Sequence, residues 1–324
     1  MVTILSIDGG GIRGIVPAIF LMEIEKRTGK PICTLFDLIA GTSTGGILAT
    51  SLTVPDSQGK PKYTAAQVRD AYFEYGDAIF HRRLLRPVTT LGGLLRPTYS
   101  PHALKLLLEE FLGNQRLHNT LTEILVTSYD MASSTPWFFK TSFAKEHRNP
   151  VDDPLLSQVA LATTAAPTYF PPVTLDSHCL IDGVVFAGNP ALCAFAQARN
   201  MFPLETDFFV VSLGTGLQEH DRLCSEVKNW GATDWAGSII GVMLNASSAS
   251  VNYQMRALVG NGNYFRFQVP LGLEPSKMND TSRKNMQHLL AIAQQVVSEE
   301  SATIDQVCSI LKNKPERQRP LRLP

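Results

Sequence analysis

The chain predicts a three-layer α/β fold, with helices covering both faces of a mostly parallel central sheet, and three observations carry that expectation. Apolar strand-like runs alternate with helical patterns through 324 residues, with no internal repeat or low-complexity linker between them. Two strand-to-helix junctions near the N-terminus are glycine-rich: Asp8-Gly9-Gly10-Gly11-Ile12-Arg13-Gly14 and Gly41-Thr42-Ser43-Thr44-Gly45-Gly46. A composition that is 44% hydrophobic with zero net charge can bury a large core, as one extended domain or a domain with small additions requires.

The elements follow in chain order. Residues 2–7 read as a buried strand, 8–14 as a turn and 15–27 as an apolar-faced helix. The apolar run 36–40 leads into the second glycine turn and then a helix. Thr64-x-x-Gln67 caps a helix to about Phe80, Ser100-Pro101 starts one to Leu112, and Asp153-Pro154 starts one ending before Pro167. Residues 122–129, 137–141 and 207–213 read as strands. A helix is expected through 239–256, and a last helical pattern over 302–312 runs into a basic tail. The expected organisation is one catalytic domain over 1–298 with a C-terminal helix and tail over 299–324.

Ser43 is the candidate nucleophile. A strand entering Gly-x-Ser-x-Gly and leaving as a helix forms a sharp, strained turn, and Gly41 and Gly45 let chain segments approach without side-chain clashes. The first glycine cluster supplies what such a serine needs next. Successive amides of Gly9, Gly10 and Gly11 at a helix start form a nest for an anion, either a phosphate or the oxyanion of acyl transfer, and Arg13 adds a positive charge. The same residues also spell the Gly-x-Gly-x-x-Gly of dinucleotide sites. That reading needs an acid at the end of the second strand, whereas Asp37 lies at its beginning. Asp182, closing the apolar stretch Leu180-Ile181-Asp182-Gly183 ahead of Pro190, is placed to project into a site at the strand ends; an Asx turn is its bland alternative.

With these motifs in hand, the chain resembles the patatin-like phospholipases, bacterial members in particular. Asp-Gly-Gly-Gly-Ile-Arg-Gly at 8–14, Gly-Thr-Ser-Thr-Gly-Gly at 41–46 and Asp-Gly at 182–183 match the three signatures of that family in order. Echoes at 165–172, 211–216 and 279–282 extend the likeness over nearly the whole chain. Val184 departs from the Gly or Ala usual after Asp-Gly, and a larger residue there would narrow the acyl pocket or alter the set of the Asp182 carboxylate. The resemblance implies a patatin-like fold and a Ser43–Asp182 dyad without histidine, metal or cofactor. It also implies an oxyanion hole from Gly10 and Gly11, with Gly9 as a further candidate donor, and an Arg13 that neutralises charge or meets a lipid phosphate. An aspartate of ordinary pKa near 3.9 is a weak base for an alcohol, so such a dyad needs a dry site. The implied partner is a phospholipid membrane surface. Some bacterial members are anti-phage effectors switched on by cyclic dinucleotides, which here would bind within the fold or between subunits of a homo-oligomer, near 218–263 or the arginine-rich segment 81–97. The alternatives are a housekeeping esterase or acyltransferase acting on soluble or neutral lipid esters, and a storage or binding protein.

A Ser-His-Asp triad is the competing mechanism, and chain order leaves His220 and His288 as its candidates; neither has motif-like surroundings. Neutral net charge argues against a nucleic-acid polymer as partner. A strand beginning at residue 2 leaves no room for a secretory leader, so a cytoplasmic protein in peripheral contact with the inner membrane face is expected. Five cysteines without C-x-x-C spacing indicate neither a disulfide framework nor a zinc site.

Overall fold

Val2–Ile7 forms β1, buried along its whole length, because a parallel strand covered on both faces has no polar side to show. The computed structural model describes residues 1–79, 97–218, 224–260, 262–272 and 277–314. Around β1 are β2 (Leu38–Thr42), β3 (Glu123–Asp130), β4 (Thr135–Lys140), β5 (Val173–Leu175), β6 (His178–Asp182), β7 (Phe208–Leu213) and β8 (Tyr264–Phe267). They form one sheet in the order β5-β6-β3-β2-β1-β7-β8, with β4 also paired to β3. The pairs from β3 through β8 are parallel, while β4 and the β5–β6 hairpin are antiparallel. Pro136 in β4 is tolerated because that strand lies at an edge.

The helices are α1 (Ile15–Thr28), α2 (Ile32–Leu35), α3 (Thr44–Ser51), α4 (Ala65–Ile79), α5 (Pro101–Leu112), α6 (Thr141–Glu146), α7 (Leu156–Thr163), α8 (Val184–Ala187), α9 (Ala191–Met201), α10 (Cys224–Val227), α11 (Ala232–Val259), α12 (Arg283–Glu299) and α13 (Ser301–Asn313). One sheet face, presenting Leu5, Ile7, Ile39, Val126 and Val211, carries the larger core with α1, α3, α4, α5, α7, α12 and α13. The other, presenting Val2, Ile4, Ala40 and Val210, packs under α9 and α11. Ala191, Ala194 and Ala198 share one face of α9, and small side chains there allow close approach to the sheet. The three-layer, mostly parallel α/β fold is therefore present.

Several element ends fall a few residues from the sequence expectation, and the local reason is visible at one of them. The helix expected from Asp153-Pro154 starts at Leu156, because Asp153 is engaged elsewhere: its carboxylate accepts from the His118 amide at 3.0 Å and faces the His118 ring at 2.5 Å. A short helical turn, α8, separates Asp182 from the helix that follows Pro190. At the other end of the chain, α13 buries Ile304, Val307, Cys308 and Leu311 in the larger core, and Arg27 of α1 pairs with Asp305 at 2.9 Å. The last helix thus shares the core of the elements before residue 298.

Candidate active site

The strand register brings Ser43 and Asp182 together. β3 pairs with β2 over residues 123–127 and with β6 over 128–130, while β4 occupies the opposite edge of β3 over 125–130. A strand has two edges, so β2 and β6 lie end to end along the same one. β2 runs parallel to β3 and finishes at Thr42 opposite Thr127; β6 runs antiparallel and finishes at Asp182 opposite Ser128. The C-terminal ends of both strands therefore meet head-on at neighbouring positions. Each then turns away, β2 through Ser43 into α3 and β6 through Gly183 into α8. A side chain at Gly183 would run into Thr127, so the turn passes too close to β3 for any other residue.

Ser43 sits at φ 55° and ψ −122°, a conformation a non-glycine residue holds only when its surroundings impose it. A Cβ at Gly41 would meet the Gly45 carbonyl, and one at Gly45 would meet the Ile7 carbonyl, which is why this elbow needs both glycines. The Ser43 amide donates to Thr163 Oγ1 at 2.9 Å, and that hydroxyl donates in turn to the Thr127 carbonyl at 2.6 Å. Thr44, next in line, has its hydroxyl 2.5 Å from the Tyr72 hydroxyl of α4. Thr42 donates to the Ala187 carbonyl at 2.6 Å, tying the elbow to the turn after Asp182.

Asp182 is 1% exposed. Burial pushes its carboxyl up to about 7, against the opposing pull of the nearby Ser43 hydroxyl and of the Val184 amide. That amide donates to Oδ1 at 2.8 Å, while Oδ2 is buried with no partner at hydrogen-bonding distance among the described residues. The Val184 contact is made by its backbone amide, which any residue but proline offers at that position. A carboxyl at the ordinary value near 3.9 would be a weak base for an alcohol, and the burial of Asp182 is the dry setting that moves it away from that value.

The loop 9–14 lies beside the elbow, with a Cβ at Gly9 falling 3.3 Å from that of Ser43. Gly9 leaves the set of oxyanion donors, because its amide already donates to the Gly188 carbonyl at 3.0 Å and its carbonyl accepts from Thr215 at 2.7 Å. The amides of Gly10 and Gly11 donate to no group among the described residues, and Gly11 holds φ 59° against the Met278 carbonyl. Arg13 is 7% exposed, with Nε unpartnered and no acid in contact among the described residues. Burial lowers its pKa to about 10, so it is a buried cation at neutral pH.

The competing readings find no support among the described residues. Asp37, the dinucleotide candidate, is bound by the Thr3 amide at 2.8 Å and by Lys314 at 3.1 Å, at the opposite end of β1 from the glycine loop. His288 is exposed on α12, while His118 and His178 face Asp153 and Asp130. His81 and His220 lie outside the described residues, as do Phe80, all of the segment 81–97 except Pro97, residues 219–223 and the tail after Lys314. Among the described residues no helix is long and apolar enough to cross a membrane. Thr163, Tyr72 and the Thr44 amide, which has no acceptor among the described residues, are site residues that no sequence motif singles out. For the amide a signal exists, since the residue after an elbow nucleophile commonly faces the oxyanion.

Comparison with known proteins finds relatives over most of the chain. The family described as patatin-like phospholipase matches residues 5–195. Patatin-like protein 2 of Oryza sativa subsp. indica is 33% identical over 94% of this chain and 86% of its own length. Patatin-2-Kuras 4 of Solanum tuberosum is 32% identical over 91% of this chain and 86% of its own. Among solved structures, VipD from Legionella pneumophila aligns over 92% of this chain and 67% of its own, at 11% identity and a TM-score of 0.37.

Proposed function

We propose how the catalytic step runs in this chain, which belongs to the patatin-like phospholipase family and is a serine lipid acyl hydrolase. The observation that carries the proposal is the head-on meeting of β2 and β6, which sets the Ser43 hydroxyl against an aspartate whose pKa burial has raised to about 7. Ionised Asp182 takes the Ser43 proton as Oγ attacks the ester carbonyl, and the amides of Gly10 and Gly11 hold the resulting oxyanion. Collapse expels the alcohol, which leaves with the proton from Asp182. Water, deprotonated by the same carboxylate, then cleaves the acyl-enzyme and frees the fatty acid. The buried, acid-free guanidinium of Arg13 favours substrates carrying phosphate, hence membrane phospholipids over neutral esters.

Purified protein should release acyl chains from phospholipid vesicles faster than from short-chain soluble esters; the reverse preference would favour the soluble-esterase reading. Ser43→Ala, Asp182→Asn and the double variant should each lose 10⁴-fold or more, with the double scarcely worse than either single. If His288→Ala abolished activity with the fold intact, the dyad would be wrong. The rate should rise with pH through about 7 and then level off, since the base works only when ionised. Stability runs the other way. Folded Asp182 holds its proton more tightly than the unfolded chain does, so its contribution is complete below about pH 4 and is lost as pH rises through about 7. Asp182→Asn should therefore gain up to about 4 kcal/mol over the parent at pH 8 relative to pH 4, read by urea unfolding.

The anti-phage role and the cyclic-dinucleotide trigger rest on the resemblance to bacterial members, whereas the relatives compared above are plant proteins. Vesicle hydrolysis with and without cyclic dinucleotides, with solution mass followed, tests them. An unchanged rate and mass would remove both.

A further inference from the structure

Asp8 opens the glycine loop, and its partner lies 258 residues away. Arg266 of β8 stands in register with Ser212 of β7 and reaches across the upper end of the sheet. Its Nη1 donates to Asp8 Oδ1 at 2.9 Å and to Ser212 Oγ at 2.8 Å; its Nη2 donates to Asp8 Oδ2 at 2.5 Å and to Ser248 Oγ of α11 at 3.3 Å. Both side chains of the pair are 7% exposed. A planar fork on both oxygens of a buried carboxylate fixes direction as well as charge, which a lysine cannot reproduce.

The rest of the loop is fastened by neutral contacts. The Asp8 amide donates to the Leu213 carbonyl, the Gly9 amide to Gly188, the Ile12 amide to Met278 and the Arg13 amide to the Gly10 carbonyl. Arg13 is the other cation that feels the Asp8 charge, but it makes no contact with that carboxylate. Two buried cations thus face one acid, and Arg266 holds it. Were Arg266 absent, Asp8 would be left buried beside Arg13, which meets no acid among the described residues, on the same short loop. Pairing between the two would draw in both ends of residues 8–13 and turn the Gly10 and Gly11 amides.

We propose that Arg266 is a positioning residue for hydrolysis: by gripping both oxygens of Asp8 it keeps the glycine loop in the shape that offers its two amides, and keeps Arg13 from capturing the acid. The proposal rests on the reading of Gly10 and Gly11 as oxyanion donors. It adds a residue from beyond the span matched by the family, residues 5–195.

The test uses a short-chain soluble ester without phosphate, so that contacts of Arg13 to substrate play no part. Active sites are counted by endpoint titration with a fluorophosphonate, in which Ser43 Oγ forms a bond to phosphorus and fluoride leaves. Per titrated site, Arg266→Gln should lower kcat about 10- to 100-fold with KM within about twofold, and Arg266→Lys about 3- to 10-fold. Asp8→Asn should match Arg266→Gln, and the double variant should fall no further than the worse single, because both remove one interaction. Unchanged kcat per site with lowered thermal stability would make the pair merely structural and overturn the proposal, as would multiplicative losses in the double variant. Should Arg266→Gln fail to fold, Arg266→Lys decides, a parental kcat overturning the proposal. Ser43→Ala run alongside separates the two readings: if that variant stays active, the nucleophile assignment fails and the positioning effect is judged by kcat alone.

Discussion

The elbow at residues 41–46 and the loop at 9–14 leave adjacent parallel strands at the same level, since Ile7 and Gly41 stand in register, and both spend glycines to do so. What the glycines avoid is different. At the elbow they avoid backbone that is close in the chain or on the next strand: Gly41 faces the Gly45 carbonyl and Gly45 faces the Ile7 carbonyl. In the loop they avoid groups brought in from far along the chain, with Gly10 against the Thr215 side chain and Gly11 against the Met278 carbonyl. The elbow is a steric object largely specified by its own few residues. The loop takes its shape from a later half of the chain that supplies Gly188, Thr215, Arg266 and Met278.

That contrast can be broken at graded cost. Gly41→Ala places a methyl on backbone that cannot retreat, so little or no folded protein should be recovered, measured by soluble yield and thermal unfolding. A well-folded Gly41→Ala protein would show that the elbow is looser than its contacts imply. In the loop, Gly11→Ala sets a methyl against the Met278 carbonyl and should shift the loop, and the protein that does fold should lose 10²- to 10³-fold in kcat, about 2.7 to 4 kcal/mol, as loss of one oxyanion donor does. Gly10→Ala should behave likewise, with one difference that sharpens the comparison. Its clash is with a side chain, so Thr215→Gly should restore part of the activity, while no side-chain change should rescue Gly41→Ala. The smallest effect belongs to the support of the elbow from outside. Thr163→Val removes the acceptor of the Ser43 amide and should cost about tenfold in kcat and about 1–3 kcal/mol in stability, with Thr163→Ser close to the parent.

The same division explains which residues are legible in the amino-acid sequence and which are not. Ser43, Asp182, Gly10 and Gly11 are legible because each sits in a short motif whose local geometry is demanding. Gly9 falls in with them because sequence cannot show that its amide is taken by Gly188. Thr163 and Arg266 escape notice because a threonine at a helix end or an arginine in a strand looks ordinary until its partner, 120 or 258 residues away, is known.

The sequence by itself determined the three-layer α/β fold, both glycine turns and the chemical type of the two side chains proposed to react, because apolar periodicity and the steric needs of a tight turn act over a few residues. Tertiary structure alone decided that β2 and β6 finish against each other on one edge of β3, and that the aspartate there is buried enough for its carboxyl to rise to about 7. It also decided that one buried arginine holds Asp8 while another meets no acid among the described residues. Register, desolvation and the sharing of one charge between two partners are properties of groups distant in the chain, and they come into being only when the sheet closes.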